Sequence, residues 1–304
     1  MPPEYPFPEI NRVANYFATE LPKWGHKYPQ IGLVRIGENV VLRDTANKLV
    51  FRVYRRGTTA EEIHIELRTI KCLLAQGQDA PILAEISTDT TPLIVEGRFV
   101  TVWKHIPHLN KTVDFLKFGQ LVRSTHKNLR QCTSGIPEWD PLKKINQRLA
   151  LLKYQQKIST GEHKELTHIS TQANKEIGNI KKHLEKQTIH GDCHQGNVIT
   201  TSDGELIMLD FEQVAKGPIE WDLLPTAIAY ERFNLSYEDY RQFVSGYGFD
   251  VRSSKFYPTL KRLRELSMTT WIAQNRNVDK KTNKETTKRI ESVINNDQKK
   301  WEAF

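Results

Sequence analysis

The stretch HGDCHQGNVITTSDGELIMLDFE, from His190 to Glu212, constrains this 304-residue chain more than any other. Two apolar runs, NVIT and LIMLDF, flank the turn sequence TSDG and predict a β-hairpin. Carboxylates are costly to bury without partners, yet Asp192, Asp210 and Asp222 crowd around these core-like runs. Asn197 stands at the entrance of the first strand and Asp210 at the exit of the second, so antiparallel pairing predicts that the two ends meet. An amide oxygen and a carboxylate placed this way suit a hard divalent cation, because Mg²⁺ is usually held by one or two carboxylates plus phosphate oxygens and water. Gly191 and Gly196 permit a compact loop, from which Asp192 can orient a hydroxyl and accept its proton.

The remaining chain divides by texture. Segments IGLVRIGENVVLRD, KLVFRVYRR and RFVTVWKHI are rich in β-branched and aromatic residues and read as strands. Between the second and third, AEEIHIELRTIKCLLAQGQ predicts a helix with Ile63, Leu67, Ile70 and Leu74 on its buried face. The opening MPPEYPFPEI reads as an extended lead-in to a first helix. After His105 helical periodicity takes over: VDFLKFGQLVRSTHKNLR, DPLKKINQRLALLKYQQKI capped by Asp140, SYEDYRQFVSGYGF capped by Ser236, and TLKRLRELSMTTWIAQN. The plan is α+β and two-lobed: a β-rich lobe over 1–105 and a mainly helical lobe over 106–304, joined near Trp103 to Pro107.

A net charge of +8 raises the question of nucleic acid. From Val251 to Phe304 there are thirteen Lys and Arg against six Asp and Glu, whereas Glu205 to Asp250 carries three against nine. The excess therefore belongs to the tail, where charges alternating with Ile290, Val293 and Ile294 predict the solvated face of a terminal helix, with no nucleic-acid partner. The chain shows neither a secretory leader nor a run long enough to span a bilayer, which predicts a cytoplasmic protein with no membrane partner. Cys72, Cys132 and Cys193 are odd in number and widely spaced without any C-x-x-C, and His190, Cys193 and His194 lack a second ligand pair, so neither a disulfide framework nor zinc has much support.

HGDCHQGN, LDFE and GPIEWDL, in this order and spacing, resemble the catalytic signature of the aminoglycoside phosphotransferases, small-molecule relatives of protein kinases that include the choline kinases. The resemblance implies a two-lobed protein-kinase-like fold with Asp192 as the catalytic residue and Asn197 and Asp210 as Mg²⁺ ligands. It further implies that Arg52 stands where the family has its phosphate-binding Lys or Arg, that Glu66 is its ion-pair partner, and that Trp103, Lys104 and His105 form the adenine-binding hinge. Asp222 would hold the catalytic loop from below. The chain departs from the pattern in lacking G-x-G-x-x-G, with only RIGENVV in that region, and in placing Thr125 where Leu is usual. The implied activity is transfer of the γ-phosphate of ATP, with GTP left open, to a hydroxyl of a small molecule: aminoglycoside-like, amino alcohol or sugar-like. For a cationic acceptor the acidic Glu231, Glu238 and Asp239, or the rings of Trp221, Tyr230, Tyr237, Tyr240 and Trp271, are the candidates. The alternative is a non-catalytic, nucleotide-binding regulatory protein of the same fold. No A-P-E block separates LDFE from GPIEWDL, which disfavours a protein kinase. Oligomeric state is not readable.

Overall fold

The computed structural model describes residues 8–86 and 92–303; residues 1–7 of the proline-rich lead-in fall outside them, and Pro8 to Ile10 belong to the first helix instead of an extended segment. It contains two compact units, Met1–Lys111 with Ile199–Glu212, and Thr112–Val198 with Gln213–Phe304.

In the first unit, helix α1 (Pro8–Lys23) precedes strands β1 (Ile31–Ile36), β2 (Val40–Asp44) and β3 (Leu49–Val53). Helix α2 (Ala60–Ala75) is followed by β4 (Leu93–Val95), β5 (Arg98–Lys104) and β6 (His108–Leu109). Five of the strands form one antiparallel sheet in the order β1-β2-β3-β5-β4. Side chains alternate across a strand, so Leu49, Phe51 and Val53 of β3 enter a core with Val13, Phe17 and Leu21 of α1, the rings of Phe17 and Phe51 lying 4.3 Å apart. Arg52 is thereby turned to the opposite face, beside α2.

Thr59 and Glu62 start α2 with a reciprocal capping box. Its buried stripe includes Ile63, Leu67 and Ile70 as expected, but Leu73 replaces Leu74, which is 38% exposed. The stripe is rotated toward the row Glu66, Thr69 and Leu73 because Glu66 is drawn inward by polar partners. The predicted hairpin is present: β8 (Val198–Thr201) and β9 (Leu206–Met208) are neighbours, and β6 pairs with β8 through His108–Thr201 and Leu109–Thr200.

The second unit is mainly helical, with α3 (Phe115–Leu129), α4 (Pro141–Tyr154), α5 (Thr160–His183), α6 (Glu220–Arg232), α7 (Tyr237–Tyr247), α8 (Tyr257–Ala273) and α9 (Lys280–Asn295). A short antiparallel pair, β7 (Lys186–Ile189) with β10 (Ala215–Pro218), brackets the signature stretch. Helices α3 and α7 touch backbone to backbone: a Cβ on Gly119 would lie 2.2 Å from the Phe243 carbonyl oxygen, and one on Gly246 2.2 Å from that of Leu116. Asp140 and Ser236 cap α4 and α7 as their sequences predict.

The tail differs from expectation. Helix α9 is not simply a solvated face, for Glu285, Arg289, Ile290 and Val293 are all buried. Arg289 Nε donates to Glu285 Oε1 at 2.8 Å, and Trp301 packs under the guanidinium groups of Arg232 and Arg289. Part of the basic excess thus serves internal pairing. Among the described residues no helix is long and apolar enough to cross a membrane.

Candidate active site

Strand β7 delivers the chain into the loop His190 to Asn197, whose backbone is fixed from α6. The fully buried Asp222 accepts from the His190 amide at 2.7 Å and from the Gly191 amide at 2.8 Å. His126 Nε2 lies 3.0 Å from the same carboxylate, and His126 Nδ1 lies 2.9 Å from the Tyr247 hydroxyl. These partners satisfy a charge that would otherwise be prohibitively placed. Gly191 has φ +84°, and a Cβ there would meet the Gln213 carbonyl oxygen at 1.9 Å, so only glycine makes this turn.

Asp192 follows that turn. Its amide donates to His190 Nδ1 at 3.2 Å, and its backbone carbonyl accepts from Asn197 Nδ2 at 3.0 Å. Oδ1 accepts from Arg264 Nη2, Oδ2 accepts from Gln213 Nε2 at 3.2 Å, and His194 Nε2 stands 3.8 Å from Oδ2. Burial raises the Asp192 pKa, but the positive charge of Arg264 and the proximity of His194 outweigh it, leaving the group below its ordinary value and ionised. Burial pushes the neighbouring Cys193 thiol up, reinforced by Asp222 and Asp192, which leaves it inert as a nucleophile.

In the first unit, Arg52 is the centre of a second cluster. Its Nη1 donates to Glu66 Oε1 at 2.8 Å, and its Nη2 reaches Asp210 Oδ1 at 2.7 Å and Glu212 Oε1 at 2.6 Å. Three carboxylates therefore share one guanidinium. Glu66, the deepest, also accepts from the Tyr54 hydroxyl at 2.9 Å. Burial pushes its pKa up to about 7; Arg52 opposes the rise, and Asp210 and Glu212 add to it. Asn39 Nδ2 donates to Glu212. Asp210 holds φ +66°, a left-handed conformation unusual for a residue with a side chain.

The residues singled out by sequence thus fall into two sets. Asp192 and Asn197 belong to the second unit; Arg52, Glu66, Asp210, Trp103, Lys104 and His105 belong to the first. In the Trp103 to His105 segment, the Lys104 amide donates to the Ile82 carbonyl and the His105 amide to that of Lys48. Those two N–H groups are committed within the chain. The Trp103 indole donates to Thr101 Oγ1 at 2.8 Å and is buried.

The candidate acceptor groups are largely occupied by the chain itself. Glu231 is paired with Lys261 and Tyr257, Glu238 with Arg241, and Asp239 with the capping Ser236. Arg252 covers the rings of Tyr240 and Tyr230 at 4.3 and 5.3 Å, and Arg264 lies 5.1 Å from the Trp221 ring. These three rings therefore do not form an open cage for a quaternary amine. Sequence reasoning passed over Arg264 and Gln213, while His126 is the histidine that closes the FGQLVRSTH motif. The signal for Arg264 was a charged residue inside the Leu260, Leu263, Leu266 stripe of α8.

The chain belongs to the APH phosphotransferase enzyme family, whose model matches residues 28–265. No curated protein sequence matches it closely enough to count as a relative. Among solved structures, the microcompartment-associated aminopropanol kinase is similar over 92% of this chain and 95% of its own, with TM-score 0.71 at 14% identity. The choline kinase LicA from Streptococcus pneumoniae is similar over 93% of this chain and 99% of its own, with TM-score 0.64 at 15% identity. The GDP and kanamycin complex of APH(2")-IIia is similar over 94% and 99%, with TM-score 0.60 at 14% identity. At these identities the likeness is one of fold: the protein-kinase-like arrangement of a small antiparallel-sheet lobe and a helical lobe.

Proposed function

We propose that this chain is an ATP-dependent, Mg²⁺-assisted phosphotransferase that acts on a hydroxyl of a small molecule. The observation that carries the reading is the loop itself: an ionised Asp192 held five residues before Asn197, with the Asn197 amide nitrogen tied to the Asp192 carbonyl. That bond orients the amide so that Oδ1 is the atom offered as a donor. Asn197 Oδ1 and the Asp210 carboxylate are hard oxygen donors of the kind Mg²⁺ takes, and these two residues would hold it; Glu212 is a further carboxylate in reach of Arg52. The metal, when bound, would supply charge neutralisation to the phosphates.

Asp192 then orients the acceptor hydroxyl and receives its proton as the oxygen bonds to the γ-phosphorus and the bond to the β,γ-bridging oxygen breaks, releasing ADP. Arg52, fixed by Glu66, is the residue assigned to the nucleotide phosphates. Guanidinium can bind phosphate in a bidentate fashion, so its presence in place of Lys is compatible with that task. The Trp103, Lys104 and His105 segment is assigned to the base.

The acceptors named for the similar structures, aminopropanol, choline and kanamycin, all suggest an amine-bearing alcohol. The internal pairing of Glu231, Glu238 and Asp239 and the covering of Tyr230 and Tyr240 favour a neutral or singly charged acceptor over a polycationic one. ADP release from Mg²⁺-ATP, measured across amino alcohols, sugars, choline and kanamycin, tests the reading. A small alcohol should stimulate release more than kanamycin does; kanamycin as the best acceptor would reverse the assignment of substrate class.

A further inference from the structure

Arg264 is an arginine on the buried side of a helix, only 8% exposed, between Leu260, Leu263 and Leu266. A guanidinium in such a place costs free energy unless its donors are paired; here Nε has no hydrogen-bond partner, and both terminal nitrogens are given to two adjacent residues of the loop. Nη2 donates to Asp192 Oδ1, and Nη1 donates to the Gly191 carbonyl at 3.3 Å. Its face lies over Trp221, 5.1 Å from the ring centroid, while the Trp221 indole donates to the same Gly191 carbonyl at 3.0 Å. Helices α6 and α8 therefore grip one peptide group, and α8 additionally pins one oxygen of the carboxylate beyond it.

We infer that Arg264 is the positioning residue of Asp192: it fixes Oδ1 and so presents Oδ2 as the oxygen that takes the hydroxyl proton. The inference rests on the reading of Asp192 as the base. The groups around that carboxylate are unequal. Arg264 makes a charge-assisted bond to Oδ1, whereas among the described residues Oδ2 meets the longer contact from neutral Gln213, at 3.2 Å, and His194 Nε2 at 3.8 Å. A lysine could supply the charge, but it could neither hold the Asp192 carboxylate and the Gly191 carbonyl in one plane nor stack on Trp221 in the same way. Positioning of this kind is worth a large factor in rate, since a displacement of about 1 Å in a reacting group can cost on the order of 10²-fold.

The test uses full-length protein and ADP release from Mg²⁺-ATP, with water and with aminopropanol, choline, ethanolamine or kanamycin as acceptor. Arg264→Gln and Arg264→Lys are compared with wild type, with thermal midpoints recorded for each. The expected result is a kcat lowered about 10- to 100-fold in Arg264→Gln and partly restored in Arg264→Lys, with the KM for ATP within about threefold of wild type. A folded Arg264→Gln variant with wild-type kcat overturns the inference. So does a parallel loss of kcat and ATP affinity in both variants, which marks a structural ion pair. If Arg264→Gln does not fold, a fully active Arg264→Lys still overturns it. Wild-type protein that binds Mg²⁺-ATP yet releases no ADP with water or any of these alcohols removes Asp192 as a base, and the role of Arg264 with it.

Discussion

Asp192 and Glu66 show how environment divides the work of two carboxylates. Asp192 is held ionised by Arg264, so Asp192→Asn should lower turnover by about 10²- to 10⁴-fold while leaving Mg²⁺-ATP binding, measured by calorimetry, nearly unchanged. Glu66 is displaced the other way, its pKa pushed up to about 7 against 4.5 for an ordinary glutamate. The native state of the metal-free protein therefore binds more protons at this site than the unfolded chain does. Stability contributed by Glu66 is complete below about pH 4.5 and is lost as pH rises through 7. Denaturant titrations at pH 5 and pH 8 should show wild type losing on the order of 1–3 kcal/mol more than Glu66→Gln over that interval; equal losses would contradict the raised value. Residue types were legible where the backbone motif carries them, as with Asp192, Asn197 and Asp210. Arg264 was not, because its one mark, a place within the Leu260, Leu263 and Leu266 stripe of α8, is also what a long arginine that carries its head out to water would show.

At the scale of elements, close contacts decide which substitutions are tolerated. Gly119→Ala or Gly246→Ala would drive a methyl group into a carbonyl oxygen across the α3–α7 crossing, and either should destabilise by about 2–4 kcal/mol in a urea titration. Gly178→Ala on α5, where nothing lies within 4 Å, should instead stabilise by roughly 0.5–1 kcal/mol. Asp222→Ala removes the acceptor for two loop amides and for His126. It should lower both the thermal midpoint and kcat, unlike Asp192→Asn. Strands β1, β2, β3 and β5, the β8–β9 hairpin and helices with clean periodicity or caps could be read from the chain, whereas β4, β6, β7 and β10, of two to four residues, are too short to carry a pattern of their own. Helix α5 could not: its stripe of Leu166, Ile169, Ala173, Ile177 and Ile180 is thin and interrupted by Thr, Ser, Asn and Gly, and the capping box at Ser159 and Glu162 was its clearest signal. The tail was misjudged because charge alternation looks the same whether the charges face water or one another.

For the whole molecule, a basic sequence with an acidic middle is reconciled by internal pairing: Arg232 with Glu265, Arg289 with Glu285, and Arg52 with Glu66, Asp210 and Glu212. The last of these clusters places more negative than positive charge together, a balance that a divalent cation would correct. Mg²⁺-ATP should accordingly stabilise the protein by about 2.7 kcal/mol over the ligand-free state at a hundredfold excess over its dissociation constant, and the same concentration of ATP with a chelator by less. The most direct test of the central claim is transfer of label from ATP carrying a radioactive γ-phosphate to a small alcohol, with Asp192→Asn in parallel. Label should appear on the alcohol with wild-type protein and be lost in the variant. Equal transfer by Asp192→Asn would contradict the account.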